Sequence, residues 1–288
     1  MATSDTTPQR CDVTPAPSDE VARFIKLIQD HRDFDLSQYK RSSIGRSIAR
    51  RAGACKCPSI EAYRAMVETN EAELDALLSH IMVGYSTFFR DPELFEVLRR
   101  RALPDILGRK KHETPRRVRV WSVACATGEE AYSLAILLFE ALDGCLDQFD
   151  LKIFATDVDR IALAKARAGS YARETLDNIG AKTIARYFTG DRTLVVRKFL
   201  RHLVRFGELN VFADPPISQL DLITCRNVLI YLEKKAQIRA LQNLRYGLVP
   251  GGYLVLGKSE KLRPEVEEAF ETIDKKWQIY RKIEGLSS

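Results

Sequence analysis

From residue 118 onward, short runs rich in Val, Ile and Leu alternate with stretches of helical periodicity. The runs are VRVWSVA (118–124), LKIFATD (151–157), LVRFGELNV (203–211), LDLITCR (220–226) and YLVLGKSE (253–260). Between most of them lie AYSLAILLFEAL, RIALAKARAG and KKAQIRALQNLRYGLV, with apolar residues three and four apart. Short apolar runs alternating with helices predict an α/β fold, a doubly wound and mainly parallel sheet covered by helices on both faces. WQIYRKI (277–283) reads as a last strand at a sheet edge. The connection between RIALAKARAG and LVRFGELNV is too long for a simple crossover. There RYFTGDRTLVVRKFLRHLVRF sets the turn signal TGDR between two β-prone runs, which predicts a small antiparallel insertion at about 185–207.

The chain before 118 has a different texture. DEVARFIKLIQDH, SIGRSIARRAGA, SIEAYRAMVETN and EAELDALLSHIMV all carry helical spacing, and Ser59 after Pro58 marks a helix start. They predict an all-helical domain over 19–88. MATSDTTPQRCDVTPAPS (1–18) is polar, lacks the apolar centre of a signal peptide and reads as a disordered tail. FRDPELFEVLRRRALPDIL opens the larger domain, 89–288, with a helix whose N-cap is Asp91 and whose first residue is Pro92.

Several function classes are set aside by what the chain lacks. No run of eighteen apolar residues exists, so a membrane span is not expected. Cys55 and Cys57 are close, but no second pair lies at zinc-like spacing, so no metal is expected. Cys125 and Cys225 sit in or beside apolar runs and read as buried thiols in a reducing cytoplasm. None of the four histidines has a triad setting, which argues against a Ser-His hydrolase. The net charge of +6 permits an acidic partner without requiring one.

The loop after the first run, in VRVWSVACATGEEAYSLAI (118–136), is where chemistry is expected. A pyrophosphate rests against the open N-terminus of a helix, where free N–H groups and the dipole meet negative charge. Glu129 and Glu130 stand at that helix start and would repel it, although the same acids also suit the helix dipole. Asp157 and Asp159 follow the second run, where an acid accepts bonds from ribose hydroxyls; one has that place and the other caps a helix. The ligand that fits is a nucleoside without phosphates and with a cationic end, such as S-adenosylmethionine. Arg226, Asn227 and Tyr231 lie at the carboxyl end of LDLITCR, where open parallel sheets bind ligands. The plainer reading of Arg226 and Asn227 is a turn that caps the next helix.

Five motifs in order, STFFRDPELF, WSVACATGEEAYSLA, FATDVDRIALAKARAGSY, LDLITCRNVLIYL and PGGYLVLGKSE, resemble the chemotaxis receptor methyltransferases of the CheR type. The similarity runs from near residue 40 to the last strand. It implies an all-helical N-terminal domain, a class I methyltransferase domain with a β-subdomain, and methyl transfer from S-adenosylmethionine to receptor glutamates, giving glutamyl methyl esters. By the same resemblance Arg90 approaches the transfer site and the cofactor, and Ser86 and Ala124 contact the cofactor. Glu130 holds its amino-acid part or the local network, and Asp157 holds the ribose. Asn210 and Val211 flank the adenine, Arg226 and Asn227 complete the cofactor wall, and Tyr231 faces the methyl. A monomer acting on the cytoplasmic region of methyl-accepting receptors is implied, with no nucleic acid and no membrane insertion. The chain departs from the family at Gly84, where an Asn is common. Its TGDR turn is shorter than in members whose β-subdomain captures a receptor's C-terminal peptide. DPPISQLDLITCRN resembles variants found in larger signalling fusions.

YKRSSIGRSIARRAGACK (39–56) holds Lys40, Arg41, Arg46, Arg50, Arg51 and Lys56 and no acid. Arg46 and Arg50 share a helix face, with Arg51 adjacent. The three form either a solvated face or a dock for an acidic receptor helix. Two other functions stay open: a methyltransferase acting on RNA or a small molecule, and a module that senses S-adenosylmethionine without turnover.

Overall fold

The computed structural model describes residues 15–283, apart from 33, 83, 85, 143 and 177. The tail expected over 1–18 lies outside the described residues as far as 14. From 15 onward the chain is already part of a fold: the Ala16 N–H donates to the Gly45 carbonyl at 3.1 Å. The chain divides into two compact units between Val83 and Gly84. That is earlier than the expected boundary at 88/89. The reason is Phe88, fully buried in the larger unit with its ring edge-on to Tyr171 and Phe188.

The smaller unit is built from α1 (Ser18–Arg32), α2 (Arg41–Ala54), α3 (Ile60–Thr69) and α4 (Glu71–Ile81). Ser59 caps α3, its hydroxyl accepting the Ala62 N–H at 3.2 Å. Asn70 ends α3 and caps α4, accepting the Glu73 N–H at 3.1 Å. Phe24, Ile28, Ile48, Tyr63, Leu74 and Leu77 form the core. Glu73 ties three helices within it. Its carboxylate accepts Arg51 Nε at 2.7 Å and Nη2 at 2.8 Å, and the buried Tyr63 hydroxyl at 2.7 Å. Arg51 therefore acts as a strut: it lies about 100° around the helix from Arg50 and meets the acid of α4. Arg46 and Arg50 are exposed.

The larger unit opens with α5 (Pro92–Val97), a π-helical turn (Leu98–Ala102) and α6 (Leu103–Lys110). Pro104 has no N–H to give to the preceding turn, and the helix widens just before it. Next come β1 (Arg116–Val123), α7 (Glu129–Ala141), β2 (Phe149–Asp157), α8 (Arg160–Ala168), β3 (Ser170–Ala172), α9 (Ala181–Tyr187), β4 (Phe188–Thr189), β5 (Thr193–Val196) and α10 (Lys198–Arg201). The chain closes with β6 (Val204–Glu208), β7 (Leu220–Cys225), α11 (Lys234–Gly247), β8 (Leu248–Leu256), α12 (Pro264–Glu267), β9 (Phe270–Asp274) and β10 (Ile279–Lys282).

Among the described residues, seven strands form one sheet in the order β6-β2-β1-β7-β8-β10-β9. The strands from β6 to β8 are parallel, and β10 and β9 run antiparallel. Every residue of β7 is buried, as a parallel strand covered on both faces requires. WQIYRKI is thus not at the edge. β10 lies between β8 and β9, and FETID, too polar to read as a strand, takes the edge position.

The insertion is a three-stranded antiparallel sheet, β3-β5-β4. It starts at Ser170, earlier than expected, because β3 pairs with β5. It ends at Val196, because Val204–Glu208 joins β2 in the main sheet. In the TGDR turn, Gly190 has φ +105°, and a Cβ there would stand 2.1 Å from the Thr193 carbonyl oxygen. No helix among the described residues is long and apolar enough to cross a membrane.

The Arg51 hydrogen bond lowers the Glu73 pKa against the opposing effect of burial, with Tyr63 helping. A depressed carboxyl pKa contributes stability above the unfolded value of about 4.3, lost as pH falls through the folded value. Glu73→Gln is expected to cost about 2 kcal/mol at neutral pH and progressively less below about pH 4. Urea unfolding at pH 7 and at acid pH measures both.

Candidate active site

The chain order runs outward from β1 to β2 and β6, then returns to β7 on the other side of β1. The carboxyl ends of β1 and β7 therefore flank a topological switch point, the usual place for a ligand in such a sheet. The residues leaving these two strands build one connected polar network.

After Val123 the chain makes a tight loop with left-handed backbone at Ala124, Ala126 and Gly128 (φ +52°, +48° and +94°). The two alanines each cost about 1 kcal/mol in that region. Second-strand partners hold them. The Cys125 N–H donates to the Thr156 carbonyl at 3.0 Å, and the Ala126 N–H donates to Asp157 Oδ2 at 2.8 Å. Gly128 is required by packing as well as by φ, since a Cβ would stand 2.9 Å from Ala166 Cβ. The second Asp157 oxygen accepts the Asp159 N–H at 2.9 Å. Asp159 itself caps α8, accepting from Ile161 and Ala162. The open choice between the two acids is thereby resolved in part: Asp159 is the cap, and Asp157 braces the loop. Burial raises the Asp157 pKa, although its backbone donors oppose the shift.

The two glutamates at the start of α7 diverge. Glu129 is buried and accepts the Thr127 hydroxyl at 2.8 Å, and burial raises its pKa. Glu130 reaches across the sheet. Its Oε1 accepts Ser122 Oγ at 3.0 Å and Thr224 Oγ1 at 2.6 Å, residues paired in register on β1 and β7. Its Oε2 accepts Arg226 Nη1 at 2.9 Å.

Arg226 is the centre of the network, its side chain only 3% exposed. Nη2 donates to Asp91 Oδ2 at 2.5 Å and to the Arg90 carbonyl at 3.3 Å. Asp91 also meets Lys258 Nζ at 2.7 Å, and that ammonium lies 4.3 Å from the Trp277 ring centroid. Burial alone would raise the Asp91 pKa, but the Lys258 hydrogen bond and the Arg226 and Lys258 charges hold it below its usual value. Asp91 does sit at the N-cap position of α5, yet its side chain makes no cap bond: its backbone is left-handed (φ +63°) rather than extended, and its carboxylate meets these cations. Arg226 Nε is buried and has no hydrogen-bond partner among the described residues.

Asn227 follows in left-handed backbone (φ +61°). It does not cap the next helix; α11 begins at Lys234 with Glu233 as its N-cap. The turn is held by Glu260, which the sequence did not single out. This carboxylate, 3% exposed, accepts the N–H groups of Asn227 (2.8 Å), Val228 (2.9 Å), Ile230 (3.3 Å) and Gly257 (2.7 Å). It fixes the short helical turn Leu229–Tyr231 against the end of β8. The half-buried Tyr231 presents a hydroxyl with no hydrogen bond among the described residues.

Asn210 and Val211 follow β6 beside the second strand, where the Leu209 N–H donates to the Asp157 carbonyl at 3.2 Å. The Asn210 amide oxygen accepts the Phe212 N–H at 3.2 Å, and the Val211 carbonyl accepts Asn243 Nδ2 at 2.9 Å. On the other flank, the Phe89 N–H donates to Ser133 Oγ at 2.9 Å, and the Phe88 carbonyl accepts the Asn178 side chain. Those bonds place Arg90, whose guanidinium makes no hydrogen bond or ion pair among the described residues. Ser86 begins this segment and has no bond to the network among the described residues. The structure thus gathers Arg90, Ala124, Glu130, Asp157, Asn210, Val211, Arg226, Asn227 and Tyr231 at the carboxyl ends of four strands. Arg46 and Arg50 belong to the helical unit. Ser122, Thr224, Asp91, Lys258 and Glu260 complete the network. Asp91, Lys258 and Glu260 stand in the FRD and KSE runs, whose charges find their partners only through strand order.

The donor set suits a zwitterionic nucleoside. The unpartnered Arg226 Nε would suit a carboxylate, the Glu130 carboxylate an ammonium, and Asp157 ribose hydroxyls. Residues 85–279 match the family model described as CheR methyltransferase, SAM binding domain, and residues 19–82 match CheR methyltransferase, all-alpha domain. The chain is 33% identical over 256 residues to a chemotaxis protein methyltransferase of Salmonella typhimurium, covering 85% of each chain. It is 32% identical over 247 residues to that of Escherichia coli, covering 83% of this chain and 82% of that one. It is also 33% identical over 270 residues to an uncharacterized 104.1 kDa protein of Rhodobacter capsulatus, covering 93% of this chain but spanning 28% of that protein's length. The chain belongs to the CheR methyltransferase family, an S-adenosylmethionine-dependent methyltransferase with an all-helical unit followed by a class I α/β domain.

Proposed function

We propose that this enzyme methylates glutamate side chains in the cytoplasmic signalling region of methyl-accepting receptors, forming glutamyl methyl esters. One observation supports that reading most directly. Of the two arginines at the site, Arg226 bridges two internal carboxylates, whereas Arg90 makes no salt bridge among the described residues, although its charge acts on the adjacent Asp91. A free guanidinium beside a transfer site suits a carboxylate acceptor.

Bound S-adenosylmethionine supplies an electrophilic methyl on a sulfonium. Arg226, Glu130 and Asp157 would hold it, with Asn210 and Val211 flanking its adenine. A glutamate side chain is ionised at neutral pH, so the protein needs no base to remove a proton. Its work is alignment of the carboxylate oxygen with the methyl carbon and sulfur. Arg90 orients the incoming carboxylate, and Tyr231, held on the turn fixed by Glu260, packs beside the methyl. Arg46 and Arg50 attract the acidic receptor helix, so association weakens with salt. The chain acts as a monomer in the cytoplasm.

Arg90→Ala is expected to lower methyl transfer by on the order of 100-fold, with a stability change below about 1 kcal/mol. Tritium transfer to a receptor cytoplasmic fragment, followed by base-labile methanol release, measures the rate. Base-stable label would mean N-methylation and would overturn the ester reading. Glu130→Gln is expected to weaken S-adenosylmethionine binding roughly tenfold and more than Glu129→Gln does; calorimetry gives the order, and the reverse order would exchange the two roles. Charge reversal of Arg46 and Arg50 together is expected to slow receptor methylation about tenfold or more at low salt, with parent and variant converging as salt rises. Unchanged rates at low salt would move the dock elsewhere.

A further inference from the structure

A second concave site lies behind the first βα loop, on the outer side of the sheet at β6. Arg167, Lys198, Arg201, His202 and Arg205 line a cleft of about 430 Å³, with Phe206 in its wall. The volume suits a nucleotide-sized ligand. No Asp or Glu lines the cleft. Glu208, at the end of the same strand, is taken by Arg160 at 2.7 Å. The three cleft arginines have no acidic partner among the described residues; each donates to a main-chain carbonyl, and Arg201 also meets the Tyr132 hydroxyl. Arg167 Nη2 donates to Phe206 O at 3.3 Å, Arg201 Nη2 to Arg167 O at 3.1 Å, and Arg205 Nη1 to His202 O at 3.0 Å. Each guanidinium is oriented by the backbone and keeps its charge uncompensated.

We propose that this cleft binds a pyrophosphate group, free or carried by a nucleotide, and that its occupancy tunes cofactor affinity. Several converging cations call for a compact ligand with several negative charges, and guanidinium forks match phosphate oxygens. A single peptide carboxylate would neutralise only one of them. Peptide addition along β6 is opposed at Phe206, whose carbonyl already accepts Arg167.

The cleft wall is also the support of the cofactor loop. The Phe206 ring lies 5.5 Å from that of Tyr132 on α7, and the Tyr132 hydroxyl donates to the Ala166 carbonyl at 2.9 Å. Gly128 rests on the same two residues: a Cβ there would come within 2.9 Å of Ala166 Cβ and 3.2 Å of the Phe206 ring. A ligand that shifts Phe206 therefore acts on the left-handed turn that precedes Glu129 and Glu130.

The test titrates the full chain with sodium pyrophosphate and with ATP by calorimetry at physiological ionic strength. Binding is expected with both; tighter binding of ATP would show that the base contributes, and equal binding that the phosphates suffice. Arg201→Ala with Arg205→Ala should weaken pyrophosphate binding by roughly tenfold or more, with thermal unfolding confirming the fold. Arg46→Ala with Arg50→Ala, on the other basic surface, should leave it unchanged. No binding at about 1 mM pyrophosphate, or equal loss in both double variants, overturns the site. A several-fold change in S-adenosylhomocysteine affinity at saturating pyrophosphate is expected for the parent and absent from the cleft variant. An unchanged affinity in the parent overturns the coupling. Each readout is a binding constant, so it stands apart from the identity of the methylated substrate.

Discussion

The larger unit is organised around a buried cation. Arg226 is nearly inaccessible to solvent and is held between Glu130 and Asp91. Desolvating a guanidinium costs several kcal/mol, recovered only when its partners are well placed. Those partners come from two parts of the chain, the start of α7 and the segment before α5, and meet Arg226 at the end of β7. Two hydroxyls in register, Ser122 and Thr224, complete the Glu130 shell. With two carboxylates on one guanidinium, the loss of either leaves Arg226 paired on its other side. The network thus keeps Arg90 and the first loop at fixed places on the sheet.

A second buried charge does complementary work a few residues away. Glu260 has no cationic partner in its hydrogen-bond shell; four backbone N–H groups hold it instead. Arg226 ties strands and helices through side chains, whereas Glu260 holds a turn through the main chain. Between them lies Asn227, in a backbone conformation that few residues adopt. The strained turn is affordable because it is pinned on both sides, and Tyr231 inherits that rigidity.

Much of this was legible in the sequence because central parallel strands are apolar on both faces and cannot be mistaken for amphipathic surface strands. The first loop could be read because its acids occupy positions a pyrophosphate would forbid. Other features depended on partners distant in sequence. Arg50 and Arg51 are neighbours of identical chemistry, yet one is exposed and the other chelates Glu73. Only the packing of α4 against α2 distinguishes them. Asp91 has the residue type and position of a helix cap, but nearby cations claim its carboxylate. The edge strand FETID was hidden by its acids, which an edge position tolerates. Glu260 stood in a quoted motif, but nothing in KSE indicates that four N–H groups converge on it.

The loop with few glycines follows from the same balance. A pyrophosphate-binding turn uses glycines so that the backbone can approach the ligand. Here two of the three left-handed positions are alanines, and the strain is met by hydrogen bonds from the loop to the second strand and to Asp157. On the proposed reading the acid of β2 has two tasks, bracing the loop and facing the ribose. The two are compatible because a carboxylate oxygen can accept more than one hydrogen bond. The shape of the cofactor loop and the ribose contact are therefore not independent: an Asp157 substitution that removes one also deforms the other, and the turn before Glu129 and Glu130 moves with it.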